Sequence, residues 1–322
     1  MSKKTRSMLF NVFKIVVSVG LLAYVLLVQV DLRALAEVVT EARWGFLVLA
    51  TILSIGSVAL RAVRWMALLR GLAIDVPLGR LVSLYFVGTF FNVFLPTGLG
   101  GDAIRAAELA RHTKKAPEAI GTVLVDRANG LWVLFAMGLV TLPFALGDIP
   151  VETALLVGIT SAVAVIGGWV VMGTRFVPWL GDKVRLPGQK KLERFYGAVS
   201  GCGYRALAQA SAVSLVFNLM NVTINYSIAR GLNVERPFGI FVAFAPLLSI
   251  TLLVPSIGGL GVRETANMLL YGTVDVGQAF ATAMGLTQFA VQTLVPGLIG
   301  GLLYAIEGAL GLREQPEEET LS

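Results

Sequence analysis

Charged side chains set among apolar runs are the first residues of this 322-residue chain with chemical potential. Asp102, Arg105 and Glu108 recur at i, i+3 and i+6, a spacing that lets them ladder along one helix face. Asp126-Arg127 stand inside another apolar stretch, and Arg263-Glu264 directly follow a Pro/Gly-rich break. A guanidinium with its donors in a planar fork suits a phosphate, and a nearby carboxylate holds it in place. Each has a plainer reading: Asp102 as a helix N-cap, Glu108 in cytoplasmic water, Arg127 reaching up to the membrane interface.

Two breaks carry the rest of the chemistry. Asn92-Val-Phe-Leu-Pro96-Thr-Gly98-Leu-Gly100-Gly101 and Pro255-Ser-Ile-Gly258-Gly259-Leu-Gly261 each interrupt an apolar segment. Irregular backbone at membrane depth is tolerated only where protein buries it or it lines a watery cavity. A Gly-rich turn ahead of a helix start presents free N–H groups, which favour an anion. Ser214, Asn218, Asn221 and Asn225 form a polar stripe, as do Gln288 and Gln292. Such stripes either bind helices together or wall a hydrophilic path, and binding helices is the default.

The elements that hold these residues are membrane helices. The chain is 56% hydrophobic and 14% charged, with a mean hydropathy of +0.78. The net charge of +6 falls in clusters between apolar runs, as the positive-inside rule places it, and so does not indicate nucleic acid. Val12 to Val30 reads as a retained first span behind Lys3, Lys4 and Arg6, and Asp31 to Arg43 as a short interfacial helix. Trp44 to Leu60 is a second span, with Arg61, Arg64 and Arg70 marking its cytoplasmic end. Leu81 to Arg111 has basic residues at both ends, which predicts a re-entrant hairpin broken at Pro96. Spans follow at Ala119–Leu146, Thr153–Gly173 and Ala206–Ala229, the middle one carrying Gly167 as a packing glycine. A second hairpin, Phe238–Tyr271, precedes a last span, Ala279–Leu310, with a kink expected at Pro296-Gly297. Leu192, Phe195, Tyr196 and Val199 beside Lys190, Lys191 and Arg194 predict a helix lying on anionic lipid.

The expected fold is therefore an all-α polytopic membrane protein. It has about six spanning helices and two re-entrant broken hairpins, in one integral domain over residues 1–322. Residues 1–146 and 153–310 repeat the same series from opposite sides, the pattern of an inverted-topology repeat, and an acidic tail closes the chain at 313–322.

Enzyme templates do not match. The one cysteine, Cys202, excludes a disulfide, and the one histidine, His112, sits in a basic loop. There is no metal motif, no nucleophile with a histidine base and no P-loop, so neither metal nor cofactor is expected.

Asn92 to Arg105, Asp126-Arg127 and Pro255 to Glu264 together resemble the lysylphosphatidylglycerol synthase transmembrane, or flippase-like, family over essentially the whole chain. Such a region precedes an aminoacyl-transferring synthase in multiple peptide resistance factors; these 322 residues read as a stand-alone member without it. Where the family pattern often carries Glu after the first glycine run, this chain has Asp102, which keeps the carboxylate on a shorter stem.

The resemblance implies a lipid flippase in the bacterial inner membrane with both termini cytoplasmic. Its substrate would be an anionic or headgroup-modified phospholipid or a polyprenyl-linked lipid. The alternatives are an intramembrane enzyme of lipid metabolism and an accessory subunit of a separate lipid synthase or glycosyltransferase. Arg105, Arg127 and Arg263 are the expected headgroup contacts, with Asp102, Glu108 and Glu264 as their partners. Asn92, Pro96, Gly98, Gly100, Gly101, Pro255, Gly258, Gly259 and Gly261 are expected to shape the site.

Overall fold

A computed structural model describes residues 40–94, 100–113, 115–173, 189–251 and 259–309. The first span, most of the interfacial segment after it, Pro96, Gly98, Pro255, Gly258 and the acidic tail lie outside the described residues. So do the side chains of the stretch at 192–199 expected to lie on lipid.

The described residues form helices: α1 Trp44–Gly71, α2 Leu78–Phe94, α3 Gly100–Thr113, α4 Ala116–Ala145, α5 Val151–Gly173 and α6 Gln189–Gly231. After these come α7 Phe238–Ile250, α8 Val262–Gly272, α9 Gln278–Phe289 and α10 Val295–Ala309. Among the described residues five stretches are long and apolar enough to cross a bilayer: α1, α4, the Val151–Val170 part of α5, the Gly201–Gly231 part of α6, and Gln278–Glu307. At ~1.5 Å per residue α2 and α7 reach only ~20–26 Å, short of the ~30 Å apolar core, as arms of broken hairpins would. The chain is a multi-pass all-α membrane protein.

Three boundaries differ from the sequence reading. The second span does not stop at Leu60; it continues to Gly71, so Arg61 and Arg64 lie well inside it. The fifth, expected from Ala206, belongs to a helix that begins at Gln189, with a break at Gly203 (φ 78°, ψ 156°). The last is distorted ahead of its proline: Ala290–Leu294 forms a π turn between α9 and α10. Pro296 has no N–H for the carbonyl of Gln292, and widening the turn is one way a helix accommodates this.

What stops α1 also stops α6. Arg70-Gly-Leu-Ala-Ile-Asp-Val-Pro77 and Arg230-Gly-Leu-Asn-Val-Glu-Arg-Pro237 build the same turn. Ala73 (φ 53°) and Asn233 (φ 60°) take the left-handed conformation. Ile74 donates to the Leu69 carbonyl (3.0 Å) and Val234 to that of Ala229 (2.8 Å), closing the helix end in the Schellman manner. The flanking pair recurs as well, Arg70–Asp75 and Arg230–Glu235.

These equivalent helices run antiparallel. A Cβ at Gly71, the C-terminal end of α1, would lie 2.2 Å from the carbonyl oxygen of Cys202 near the N-terminal end of the α6 span. At the other end Arg43 donates to the Gly231 carbonyl at 2.7 Å. Equivalent helices of opposite direction are what an in-plane pseudo-twofold axis requires. The arms follow the same relation: α2 packs on α10, and α7 packs on α4. A Cβ at Gly300 of α10 would meet the Phe86 carbonyl oxygen of α2 at 1.9 Å, and one at Gly138 of α4 would meet Pro246 of α7 at 2.4 Å. Small residues thus bring backbones together where no hydrophobic effect drives helices to associate. The halves enclose a cavity between them.

Candidate functional site

The cavity has a volume of about 260 Å³ and takes its walls from both halves. Five guanidinium groups line it, those of Arg61, Arg64, Arg105, Arg127 and Arg263, against two carboxylates, Asp102 and Asp126. Asn218, Asn221 and Asn225 of α6 with Gln288 and Gln292 form an amide wall, and Phe217, Leu131, Leu134 and Leu248 complete it with apolar surface.

The first-half charges form a connected network. Arg64 Nε donates to Asp126 Oδ1 at 2.6 Å, and Tyr85 donates its hydroxyl to Asp126 Oδ2. Arg105 Nη2 donates to Asp102 Oδ1 at 2.7 Å, and its Nη1 lies 3.7 Å from Asp126 Oδ2. Arg127 Nε lies 2.6 Å from Asp102 Oδ2. Arg64 is 5% exposed and Asp126 1%. Charges so far from water are tolerated because each carboxylate is ringed by donors. Aromatic faces support the cations: the Arg105 guanidinium lies 3.8 Å from the Tyr85 ring centre and 4.9 Å from that of Trp65, and Arg61 sits 5.4 Å over Tyr85.

The amide stripes both bind helices and wall the cavity. Asn218 donates to the Gly130 carbonyl at 3.1 Å, tying α6 to α4. Gln292, within the π turn, donates to Asn225 Oδ1 at 2.8 Å. A π turn rotates its side chains relative to a regular helix, and Gln292 is set toward the cavity there. Behind them, Ser214 donates to Asn129 and Asn129 to Ser211, both at 2.8 Å.

Asp102, Arg105, Arg127 and Arg263 of the expected site thus come together in one cavity. Arg127 is held by Asp102 rather than reaching for the interface. Glu108 lies elsewhere, 3.8 Å from Arg80 and 3.6 Å from Arg111, so the ladder with Asp102 stops at Arg105. Arg80 also pairs with Glu307 of α10 at 2.8 Å, a partner more than 200 residues away that spacing does not reveal. Glu264, 3% exposed, caps its own helix by accepting from the Gly261 N–H at 2.6 Å and makes no ion pair with Arg263. Asn92 accepts from the Gly101 N–H at 2.6 Å and so fastens α2 to α3. Gly101 sits against Gly88, where a Cβ would lie 2.0 Å from its carbonyl oxygen; Gly100 opens α3 beside it. Gly259 (φ 84°) and Gly261 (φ 82°) take positive φ at the start of α8, which side chains disfavour. The packing glycine of α5 is Gly168, against Trp132 of α4, and not Gly167, which faces open space.

Sequence reading missed Arg61, Arg64 and Tyr85. The signal was present in the helix stop: with the turn at Gly71, Arg61 lies ~15 Å of helix from the end, beyond the reach of a snorkelling side chain.

Comparison with known proteins agrees with this architecture. The chain matches the lysylphosphatidylglycerol synthase TM region over residues 11–300. A UPF0104 membrane protein of Pyrococcus horikoshii is similar at 22% identity over 315 residues, covering 88% of this chain and 93% of the relative. The match spans both hairpins and every helix that lines the cavity, and the chain belongs to the lysylphosphatidylglycerol synthase transmembrane-region family.

Proposed function

We propose that the protein translocates lipids with anionic headgroups between the leaflets of the membrane, using the cavity between its halves as the headgroup site. The observation that carries this is the cation excess within a membrane-embedded cavity, five guanidiniums against two carboxylates. Charged groups inside a membrane domain are costly and face a substrate path or one another; here the carboxylates are too few to match them. Amide side chains beside the arginines suit the polar atoms of a headgroup, while acyl chains remain in the bilayer. The pseudo-twofold relation supplies two similar arrangements, so that rocking one half against the other would open the site to each leaflet in turn. In this reading the membrane is the bacterial inner membrane and both termini are cytoplasmic, with the basic residues at 3–6 and 111–115 on that side.

The test is reconstitution in liposomes with fluorescent phosphatidylglycerol, followed by quenching of the outer leaflet. Wild type should exchange lipid between leaflets faster than protein-free vesicles, and Arg263→Gln should slow the exchange at least 10-fold while remaining monodisperse. Exchange at the protein-free rate would reject translocation. Chemical conversion of the lipid would assign the cavity to an intramembrane enzyme instead.

A further inference from the structure

We propose that the headgroup this cavity selects carries at least two negative charges, as a phosphate monoester or diphosphate ester does, and that a headgroup bearing free amines is rejected. The inference builds on the headgroup-site reading above and narrows its substrate class.

The carboxylates are already engaged. Asp102 gives one oxygen to Arg105 and the other to Arg127, and Asp126 gives one to Arg64 and the other to Tyr85. Arg61 and Arg263 stand outside these pairs, with no carboxylate at ion-pair distance among the described residues. The hairpin tips at 95–99 and 252–258 contain no Asp or Glu in their sequence, so they hold no counter-charge for either. Four donor atoms on the cavity lining are buried without a hydrogen-bond partner: Arg61 Nε, Arg105 Nη1, Arg263 Nη1 and the hydroxyl of Tyr271, a fully buried residue. They come from α1, α3 and α8, two from the first half and two from the second.

Charge separates the headgroup classes. A phosphodiester has one negative charge, so it leaves most of the cation excess uncompensated. A phosphate monoester has three terminal oxygens and, near neutral pH, about 1.5 to 2 negative charges. That charge matches the two guanidiniums without carboxylates, and guanidinium forks bind such oxygens in pairs. An aminoacyl ester would bring ammonium groups among five guanidiniums, where like charges in a poorly hydrated cavity repel strongly.

The experiment uses the full chain in detergent, with three lipids of identical acyl chains: phosphatidic acid, phosphatidylglycerol and lysylphosphatidylglycerol. Binding is read from the shift of the thermal unfolding midpoint with lipid concentration. Phosphatidic acid should act at a concentration at least 10-fold below phosphatidylglycerol at pH 7.5, and lysylphosphatidylglycerol should not compete. At about pH 5, below its second ionisation near pH 6, phosphatidic acid should lose that advantage while phosphatidylglycerol is unchanged. Arg61→Gln and Arg263→Gln should each reduce the preference to under 3-fold. Inorganic pyrophosphate should compete with phosphatidic acid, which separates the cavity from the basic outer surface.

Equal binding of the two anionic lipids at pH 7.5, or effective competition by the lysyl lipid, overturns the proposal even if either variant fails to fold. Neither result affects translocation, which the liposome assay measures separately. Conversely, the expected preference without leaflet exchange would reject transport and keep the dianion site.

Discussion

On the wall built by α1 to α4, every carboxylate oxygen of the cavity has a donor beside it and four of the five arginines are gathered there, three of them paired with aspartates. The wall built by α6 to α10 is sparse: one arginine, one buried tyrosine and a row of amides, with Arg263 Nη1 and the Tyr271 hydroxyl left unpartnered. Among the described residues the equivalent helices α1 and α6 end in the same turn, so that shared architecture does not account for the difference. One half is mainly a charge network that holds itself in place, with Arg61 Nε and Arg105 Nη1 left over; the other has open donors and no carboxylate on the cavity. A buried charge with its counter-charge is a structural commitment, and a buried donor without one is an invitation to bind. Stability should therefore depend mainly on the aspartate network of the first wall, and selectivity on the second wall together with Arg61.

That contrast can be broken most directly at Asp126. Asp126→Ala removes the counter-charge of Arg64 and the acceptor of Tyr85, and should destabilise the protein by about 3–5 kcal/mol. Thermal unfolding in detergent measures it; a loss below about 1 kcal/mol would show that the first wall is not a structural network. Next in size is Gly101→Val in the first hairpin, where the added carbons meet the Gly88 backbone and should cost about 1–3 kcal/mol or more. A near-neutral result in the same assay would mean that α2 and α3 separate easily.

Smaller effects sharpen the comparison. Gly168→Ala should lose stability against Trp132, by up to about 1–3 kcal/mol, whereas Gly167→Ala should be neutral or gain a few tenths from helix propensity. Equal midpoints for the two would refute that helix contact. Arg263→Gln should change stability by no more than about 0.5 kcal/mol while leaflet exchange collapses. A large loss of stability there would move the second wall into the structural class. Gly259→Val, by contrast, should lower both stability and exchange, because its φ of 84° penalises any β-branched side chain.

The smallest perturbation tests how the first hairpin lies in the membrane. Gly79 is exposed with no atom near its Cβ position, and His112 is exposed at the far end of α3. Single cysteines at these positions in a Cys202→Ala background should both be labelled from the cytoplasmic face. Labelling from opposite faces would show that the pair crosses the bilayer.

Much of the fold was legible because the bilayer imposes a coarse rule on sequence. Apolar runs of span length, short runs broken by Pro and Gly, and basic clusters between them are local features, and they named the helices and both hairpins. The repeat was visible in the breaks, and more plainly in Arg70–Pro77 against Arg230–Pro237, where a left-handed turn after a helix and a proline before the next leave a readable signature. Of the site, Asp102, Arg105 and Arg263 were marked by their place beside the breaks, and Arg127 by its charge inside an apolar run.

The remaining assignments depended on contacts between distant segments. Arg61 and Arg64 look in sequence like an interfacial cluster, and only the continuation of α1 to Gly71 puts them inside the protein. Glu108 and Glu264 have the same residue type as Asp102 and similar neighbours, yet one meets Arg80 and the other caps α8. Sequence determined that this is a membrane protein of repeated, broken helices with cations among them, because hydropathy, charge and turn chemistry act over a few residues. Tertiary structure decided which cations share a cavity and which acids neutralise them, because ion pairing depends on distances of a few ångströms between helices that packing alone brings together.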